Sequence, residues 1–419
     1  MKKLFGRKTQ SAPQQTCRSV LATRYQLTST NFSATSVAVV RQLQNAGYQA
    51  YIVGGGVRDL LMQQTPKDFD VATNAKPEQI KRLFRRCFLI GRRFRLAHVH
   101  IKNEIVEVAT FRAEQPKQSK AHGKIRGGMI IRDNTYGTLQ EDALRRDFTI
   151  NALYYDPTSN SIIDFTSGLV DLEKRQLRII GKAKQRYQED PVRILRAIRL
   201  ANKLGLQIEA STADPLAKLA PLLANVPAAR LAEEIPKLFW QDQAWQCLQT
   251  LDDYRLFVQL FPTTYSSFNN NKTFYNFIKL IIHQAKPHLK TNKTHHINLL
   301  FAAFLWQPLQ NQLQQNPVTK ADFDKACADV LRIQSKQVLI TRKQSEKIRA
   351  IWQLQHRLEF RRPHYIYQTL KHADFHSAYH FLSLRAKAGE PLQAITRWWD
   401  NFIVSNKAQR AAMMANLKQ

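Results

Sequence analysis

The order of patterns along the chain constrains its fold more than any other feature. Up to about residue 173, short apolar runs alternate with turn residues and amphipathic stretches. Beyond it strand patterns fade and helical spacing continues to the end. That order predicts an α+β N-terminal head, a mixed sheet with helices, followed by an all-α neck, body and tail. The expected divisions are a flexible basic tail over 1–34, a head over 35–172, a helical neck over 173–230, and a helical body and C-terminal region over 231–419.

Within the head, Ala50–Val53 reads as a strand closed by Gly54-Gly55-Gly56, with a helix over 57–62. A short strand is expected over 69–71, then a helix opened by Pro77 whose Ile80, Leu83, Phe84 and Cys87 share one face. Leu96–Ile101 and 105–111 read as a hairpin, 113–137 as a polar surface loop, and 148–155 and 162–165 as further strands.

Charge narrows the partners. The 419 residues carry 63 Lys plus Arg against 32 Asp plus Glu, a formal net charge of +31. Such a field draws polyanions and speeds their encounter, so nucleic acid is the favoured partner and an anionic membrane surface the second. No apolar run approaches the roughly 20 residues of a membrane span. The longest, 299–306, reads as a buried helix. Cys17, Cys87, Cys247 and Cys327 form no CxxC pair, which fits a reducing, cytoplasmic compartment and argues against a disulfide framework. No Asp or Glu precedes Asp59, a bias shared by organelle transit peptides; a disordered basic tail is the preferred reading.

Asp68 and Asp70 lie two apart in an expected strand, so their carboxylates share a face while Phe69 points into the core. Side by side they repel unless a cation lies between them, and an oxygen-only pair suits Mg²⁺ completed by substrate phosphates. Glu107, between Val106 and Val108, would be a third carboxylate completing a two-metal site for phosphoryl transfer. On these three residues alone the alternative stays open: the aspartates are turn residues and Glu107 pairs with a lysine. The three glycines let backbone N–H groups approach phosphate, although they match neither dinucleotide-binding nor P-loop spacing. Further on, Pro191 suits a first helical turn. At about 100° per residue Glu189, Asp190, Arg193 and Arg196 would share one face, with Ile194, Leu195 and Ile198 opposite. Asp and Arg side by side can accept from a base amine and donate to a ring nitrogen or carbonyl. On spacing alone a salt-bridged surface helix is the favoured reading.

Tyr51-Ile52-Val53-Gly54-Gly55-Gly56-Val57-Arg58-Asp59, then Lys67-Asp68-Phe69-Asp70 and Ala72-Thr73, resembles the head of the polymerase-β-like nucleotidyltransferase superfamily. The resemblance is to the class that includes bacterial CCA-adding enzymes and bacterial poly(A) polymerases. Arg145-Arg146-Asp147-Phe148-Thr149-Ile150-Asn151-Ala152 is similar to the RRDFTINA motif of that class. Residues 164–171 resemble the segment that leaves the head, and Glu189-Asp190-Pro191-Val192-Arg193-Ile194-Leu195-Arg196 is similar to the EDPxRxLR motif; the resemblance spans about 35–225. It implies a template-independent transferase in which Asp68 and Asp70 bind two Mg²⁺ ions, with Mn²⁺ able to substitute, and Glu107 is the third acidic member. By the same resemblance Gly54, Gly55 and Arg58 hold the triphosphate. Arg145, Arg146, Asp147 and Asn151 belong to the nucleotide pocket, Asp147 being the one tied to activity. Glu189, Asp190, Arg193 and Arg196 read the incoming base.

Leu89-Ile90-Gly91-Arg92-Arg93-Phe94-Arg95-Leu96-Ala97-His98-Val99 resembles the signature of the poly(A) polymerases of this class, where CCA-adding enzymes carry fewer basic residues. Residues 351–355 and Trp398-Trp399 resemble their C-terminal region, while the long Arg- and Lys-rich tail that some of these polymerases carry is not read in this sequence. The implied activity is addition of AMP from ATP to RNA 3′ ends (mRNA, regulatory RNA or tRNA), feeding RNA decay. The implied state is a monomer working with RNA-decay or RNA-chaperone proteins. CCA addition to tRNA is the alternative, and a non-catalytic RNA-binding protein on the same scaffold a distant one. His98, His100, His295 and His296 lack the spacing of a zinc site and read as structural or RNA-proximal.

Overall fold

The computed structural model describes residues 17–91, 95–113, 135–284, 293–313 and 319–417, and the backbone of 125–126 and 129–130. The chain divides into two compact units, Met1–Arg193 with Leu206–Pro215, and Ile194–Gly205 with Leu216–Gln419. The expected border near residue 173 thus falls inside the first unit.

That unit contains, in order, β1 (Arg18–Leu21), α1 (Ala34–Asn45), β2 (Ala50–Val53), α2 (Gly55–Leu61), β3 (Asp70–Thr73), α3 (Pro77–Leu83), β4 (Cys87–Ile90), β5 (Leu96–Ile101), β6 (Glu104–Thr110), β7 (Ile125–Arg126), β8 (Met129–Ile130), α4 (Leu139–Arg145), β9 (Leu153–Asp156), β10 (Ser161–Asp164), α5 (Gly168–Glu173), β11 (Gln176–Leu177) and α6 (Ala183–Glu189). An eight-stranded sheet runs β1-β10-β9-β2-β3-β6-β5-β4. Its neighbours are antiparallel except β3 with β6.

Side chains alternate across the sheet. One face buries Ile52, Val71, Val99, Val106, Val108 and Tyr155 against Val39, Val40 and Leu43 of α1 and Ile80 of α3. Each such side chain contributes about 1.5–3 kcal/mol relative to leaving it in water. The period of α1 supplies the covering stripe, and Ser33 starts that helix by accepting the Ser36 N–H at 3.3 Å. The opposite face is covered over β9, β2 and β3, where Tyr154, Val53 and Ala72 pack with Phe111, Ala143 and Ile180. Over β6 and β4 it opens, leaving Ile105, Glu107, Phe88 and Ile90 exposed.

Several sequence expectations change. The loose segment expected to residue 34 is ordered from Arg18 onward: β1 pairs with β10, and Phe32 stacks on Tyr155 at 3.8 Å. Its sparse apolar residues, Ala22, Leu27 and Phe32, enter the core singly and so left no period to read; residues 1–16 lie outside the described residues. β3 begins at Asp70, so Asp68 precedes the strand. Cys87 begins β4 and does not extend the face of α3. Residues 149–151 form a 3₁₀ turn ahead of β9, so the expected strand over 148–155 is halved. Most of 113–137 lies outside the described residues; within it β7 pairs with β8.

The second unit is helical from Ala228–Phe239 to Lys407–Ala415. Residues 299–306 are buried as expected. Trp352 donates to the Ala302 carbonyl at 3.0 Å and Trp399 to the Leu358 carbonyl at 2.8 Å, both fully buried. Trp399 is therefore a core aromatic. Among the described residues no helix is long and apolar enough to cross a membrane.

Candidate active site

Asp70 opens β3 beside Val53 of β2. It stands one step before the Val71–Val108 pair, which places it next to Glu107 of β6. Val71 and Val108 go into the core, so alternation turns Asp70 and Glu107 to the opposite, open face. Asp68 sits just ahead, exposed. Phe69 between them packs toward the core, 5.6 Å from Phe32. The Asp70 carboxyl is pushed up to about 6, first because protein crowds it, then because Glu107 and Asp68 add negative field, with Arg146 opposing. A carboxyl raised by two others marks a cluster short of positive charge. His98 Nε2 lies 3.6 Å from Glu107 Oε1.

Among the described residues no three His, Cys, Asp or Glu side chains close into a metal-binding group. An all-protein cage is therefore not formed with Glu107. Asp68 lies close enough to add negative field at Asp70, and the two are an oxygen-only donor set of the kind Mg²⁺ accepts when substrate phosphates complete its shell.

The glycine turn abuts this carboxylate loop. Gly54 has φ +81°, ψ −131°, a conformation only glycine adopts without strain. A Cβ on Gly56 would stand 2.6 Å from Phe69 Cδ1 and 3.0 Å from the Asp68 carbonyl oxygen. Gly56, read from the sequence only as one of three glycines that let backbone N–H groups approach phosphate, thus also lets α2 press directly on Asp68-Phe69. One on Gly55 would meet only the Arg58 fork, at 3.5 Å.

Arg58 does not face outward. It is buried, its Nε and Nη2 donating to Asp59 Oδ1 at 2.8 and 2.5 Å and its Nη1 to Asn151 Oδ1 at 2.5 Å. Asn151 donates in turn to Asp147 Oδ1 at 3.1 Å, which also accepts the Phe148 N–H at 2.8 Å. The fork expected to hold triphosphate therefore ties α2 to the turn before β9.

Arg146 leans over the turn from the end of α4. Its Nε and Nη2 donate to Asp142 Oδ2 at 3.1 and 3.0 Å, and Nε also to the Tyr154 hydroxyl at 3.0 Å. Tyr154 donates to Asp142 at 2.7 Å, and burial pushes its phenol above the ordinary range. Arg146 Nη1 lies 3.5 Å from where a Cβ on Gly54 would sit. Arg186 Nη2 donates to the carbonyls of Arg145 and Arg146 at 2.5 and 2.7 Å, anchoring that corner from α6.

Glu189 ends α6, and Asp190 breaks the chain with φ −149°, ψ 94°. The residue before a proline avoids helical geometry, so Pro191 starts a new helix, α7 (Val192–Leu204). The single four-residue face expected over 189–196 is therefore split between two helices. Glu189 Oε2 bridges the break, accepting from Arg186 Nη1 at 3.1 Å and Arg193 Nη1 at 3.3 Å. Asp190 Oδ1 accepts the Val192 N–H at 3.2 Å. Arg196, one turn on, belongs to the second unit. Sequence reasoning named Asp59 without giving it a role and missed Asp142, Tyr154 and Arg186. The i,i+4 spacing of Asp142 and Arg146 was visible; nothing local marked Tyr154 or Arg186.

With this geometry in place, known proteins supply the comparison. The chain is 41% identical over 401 residues to poly(A) polymerase I of Escherichia coli O6:H1, covering 93% of this chain and 86% of that protein. The chain belongs to the poly(A) polymerase I family. The family member from Haemophilus influenzae is 38% identical, with 99% of this chain and 94% of that protein covered. Three family models match, the poly A polymerase head domain at 50–178, the probable RNA and SrmB-binding site of polymerase A at 205–267, and the polymerase A arginine-rich C-terminus at 314–419. The motif resemblance, which stopped near 225, thus extends to the end. Among solved structures, the Bacillus stearothermophilus CCA-adding enzyme in complex with CTP aligns with TM-score 0.57 and 25% identity, over 86% of this chain and 79% of that one. Of the stretch resembling the poly(A) polymerase signature, Arg92, Arg93 and Phe94 lie outside the described residues, and Arg95 pairs with Glu78 at 2.7 Å.

Proposed function

We propose that the chain adds AMP from ATP to RNA 3′ ends without a template. The observation that carries this reading is the identity to poly(A) polymerase I over nearly the whole chain, head and helical region alike. The RNA 3′ oxygen attacks the α-phosphorus of ATP, the bond to the bridging oxygen breaks, and pyrophosphate leaves. Mg²⁺ held by Asp68 and Asp70 would lower the pKa of the attacking hydroxyl and neutralise the triphosphate. Glu107 adds negative field beside Asp70. Arg146 supplies nearby positive charge, and Arg58, Asn151 and Asp147 tie the helix after the glycine turn to the turn before β9. The paired Glu189 and Arg193 offer an acceptor and donors for the edge of the incoming base. The acceptors are mRNA, regulatory RNA or tRNA ends.

CCA addition is the second reading, favoured by the likeness to a CCA-adding enzyme. Primer extension separates the two. An unstructured RNA and a tRNA ending before its CCA are each given Mg²⁺ with ATP alone or with CTP plus ATP. A long ladder on the unstructured RNA with ATP establishes polyadenylation. Arrest after CCA on the tRNA overturns it.

A further inference from the structure

We propose that the open half of the carboxylate-bearing sheet face is a stacking platform for bases near the 3′ end of the RNA acceptor, with Phe88 as its aromatic contact. The inference rests on Asp68 and Asp70 being the metal-binding pair.

The register carries one row of side chains across six strands. Tyr154 is opposite Val53, Val53 opposite Asp70, Asp70 beside Glu107, Glu107 opposite His98, and His98 opposite Phe88. Partners in register point to the same face. The next rows put Ile90 opposite Leu96 and Ile105 opposite His100 on that face. On its first strands the row is roofed by Phe111, Ala143 and Ile180; on its last no described residue roofs it. Phe88 is 54% exposed, Ile90 47% and Ile105 54%, three large apolar side chains gathered where a soluble sheet normally carries polar ones. The Phe88 ring is steadied edge-on by His100, with centroids 5.1 Å apart.

Position argues for RNA as the occupant. At a strand spacing of about 4.8 Å, Phe88 stands three strands, about 14 Å, from Asp70. A single strand whose 3′-hydroxyl lies at the aspartates passes over that spot a few nucleotides upstream. Stacking suits template-free growth because every base has a π face, so each cycle brings a fresh base onto the platform without sequence being read. The +31 chain supplies the long-range attraction and the platform a local grip. A second copy of the chain pairing along the short edge strand β4 is the competing occupant.

The test measures the primer KM of the full chain with wild type, Phe88→Ala and Phe88→Trp. The oligonucleotides carry one abasic residue at successive positions from the 3′ end. Phe88→Ala is expected to raise primer KM about 5- to 150-fold with ATP KM unchanged, and Phe88→Trp to restore it. One abasic position should cost the wild type the same factor and the Ala variant nothing more. Unchanged primer KM in Phe88→Ala, or losses that simply add, would overturn the platform. A wild-type dimer in sedimentation that Phe88→Ala abolishes would also overturn it, in favour of the second copy. If the wild type extends no RNA with ATP and Mg²⁺, the proposed function fails. The platform is then judged by anisotropy with the same oligonucleotides, where weaker binding by Phe88→Ala upholds it and equal binding ends it.

Discussion

Arg58 Nη1 donates to Asn151 Oδ1 at 2.5 Å, joining the helix after the glycine turn to the turn before β9. Asp59 and Asn151 are 8% and 9% exposed, so this bond and the Arg58–Asp59 pair are nearly dry. Removing the guanidinium strands a buried carboxylate. Arg58→Ala is expected to cost about 3–5 kcal/mol, and Arg58→Lys to recover only part because the donors of an ammonium radiate from one atom and lack the planar fork that reaches Asp59 and Asn151 together. Urea unfolding of the full chain measures both. A wild-type midpoint for Arg58→Ala would return Arg58 to direct triphosphate contact.

Two neighbouring glycines should respond differently. Gly56→Ala drives a methyl to 2.6 Å from Phe69 and displaces the peptide that carries Asp68. A misplacement on the order of 1 Å costs about 100-fold in turnover. Gly55→Ala meets a side-chain fork at 3.5 Å and should keep turnover within about a few-fold of wild type. Steady-state kcat of the two variants decides it; equal losses would show that backbone approach to phosphate, common to both, is what matters.

Asp70→Asn should lose nucleotide addition by about 1000-fold or more while RNA binding persists. It removes one charge from a mutually repelling set, so the metal-free thermal midpoint should hold or rise. Mg²⁺ should then stabilise the variant less than the wild type. A lower metal-free midpoint would mean the carboxylate is structural.

Arg193 shares Glu189 with Arg186, so Arg193→Ala leaves Glu189 a partner and costs the α6–α7 corner the bond from Arg193 Nη1 to the Arg186 carbonyl at 2.9 Å. The expected effect is a loss of preference between ATP and CTP exceeding any loss of RNA affinity. Single-nucleotide incorporation with each triphosphate reads it, and unchanged preference removes Arg193 from base recognition.

His296 ties stability to pH. Burial, then the positive fields of His295 and His380, lower its pKa to about 4, and His380 is lowered in the same sense by burial, His295 and Lys387. The folded protein keeps His296 neutral, while the unfolded chain takes a proton below about 6.5. Stability should therefore fall as pH drops from about 6.5 toward about 4. Denaturation midpoints across that window should flatten in His296→Asn, and an equally steep profile there would place the proton uptake elsewhere.

The strand–glycine order was legible because each part has a local cause, a β run and a turn only glycine makes. So was the hairpin bearing Glu107, whose alternation is clean. The period-two argument for the two acids was not, because β3 begins at Asp70 and leaves Asp68 ahead of the strand. What stayed hidden is long-range. Nothing near residue 18 announces that it will pair with residue 164. Arg58 reads as a free cation until Asn151 is placed beside it. The face over 189–196 was drawn on one ideal helix, and the preference of Asp190 against helical geometry cut it in two.

The pairing of Arg18 with Asp164 has a consequence in time. Translation proceeds at about 5–20 residues per second, so the first strand waits roughly 7–30 s before its partner exists. Through that interval β1 has no β10 edge to pair with. A ribosome that halts short of β10 therefore holds an open nascent head, whose apolar residues are available to chaperones and proteases for as long as the halt lasts.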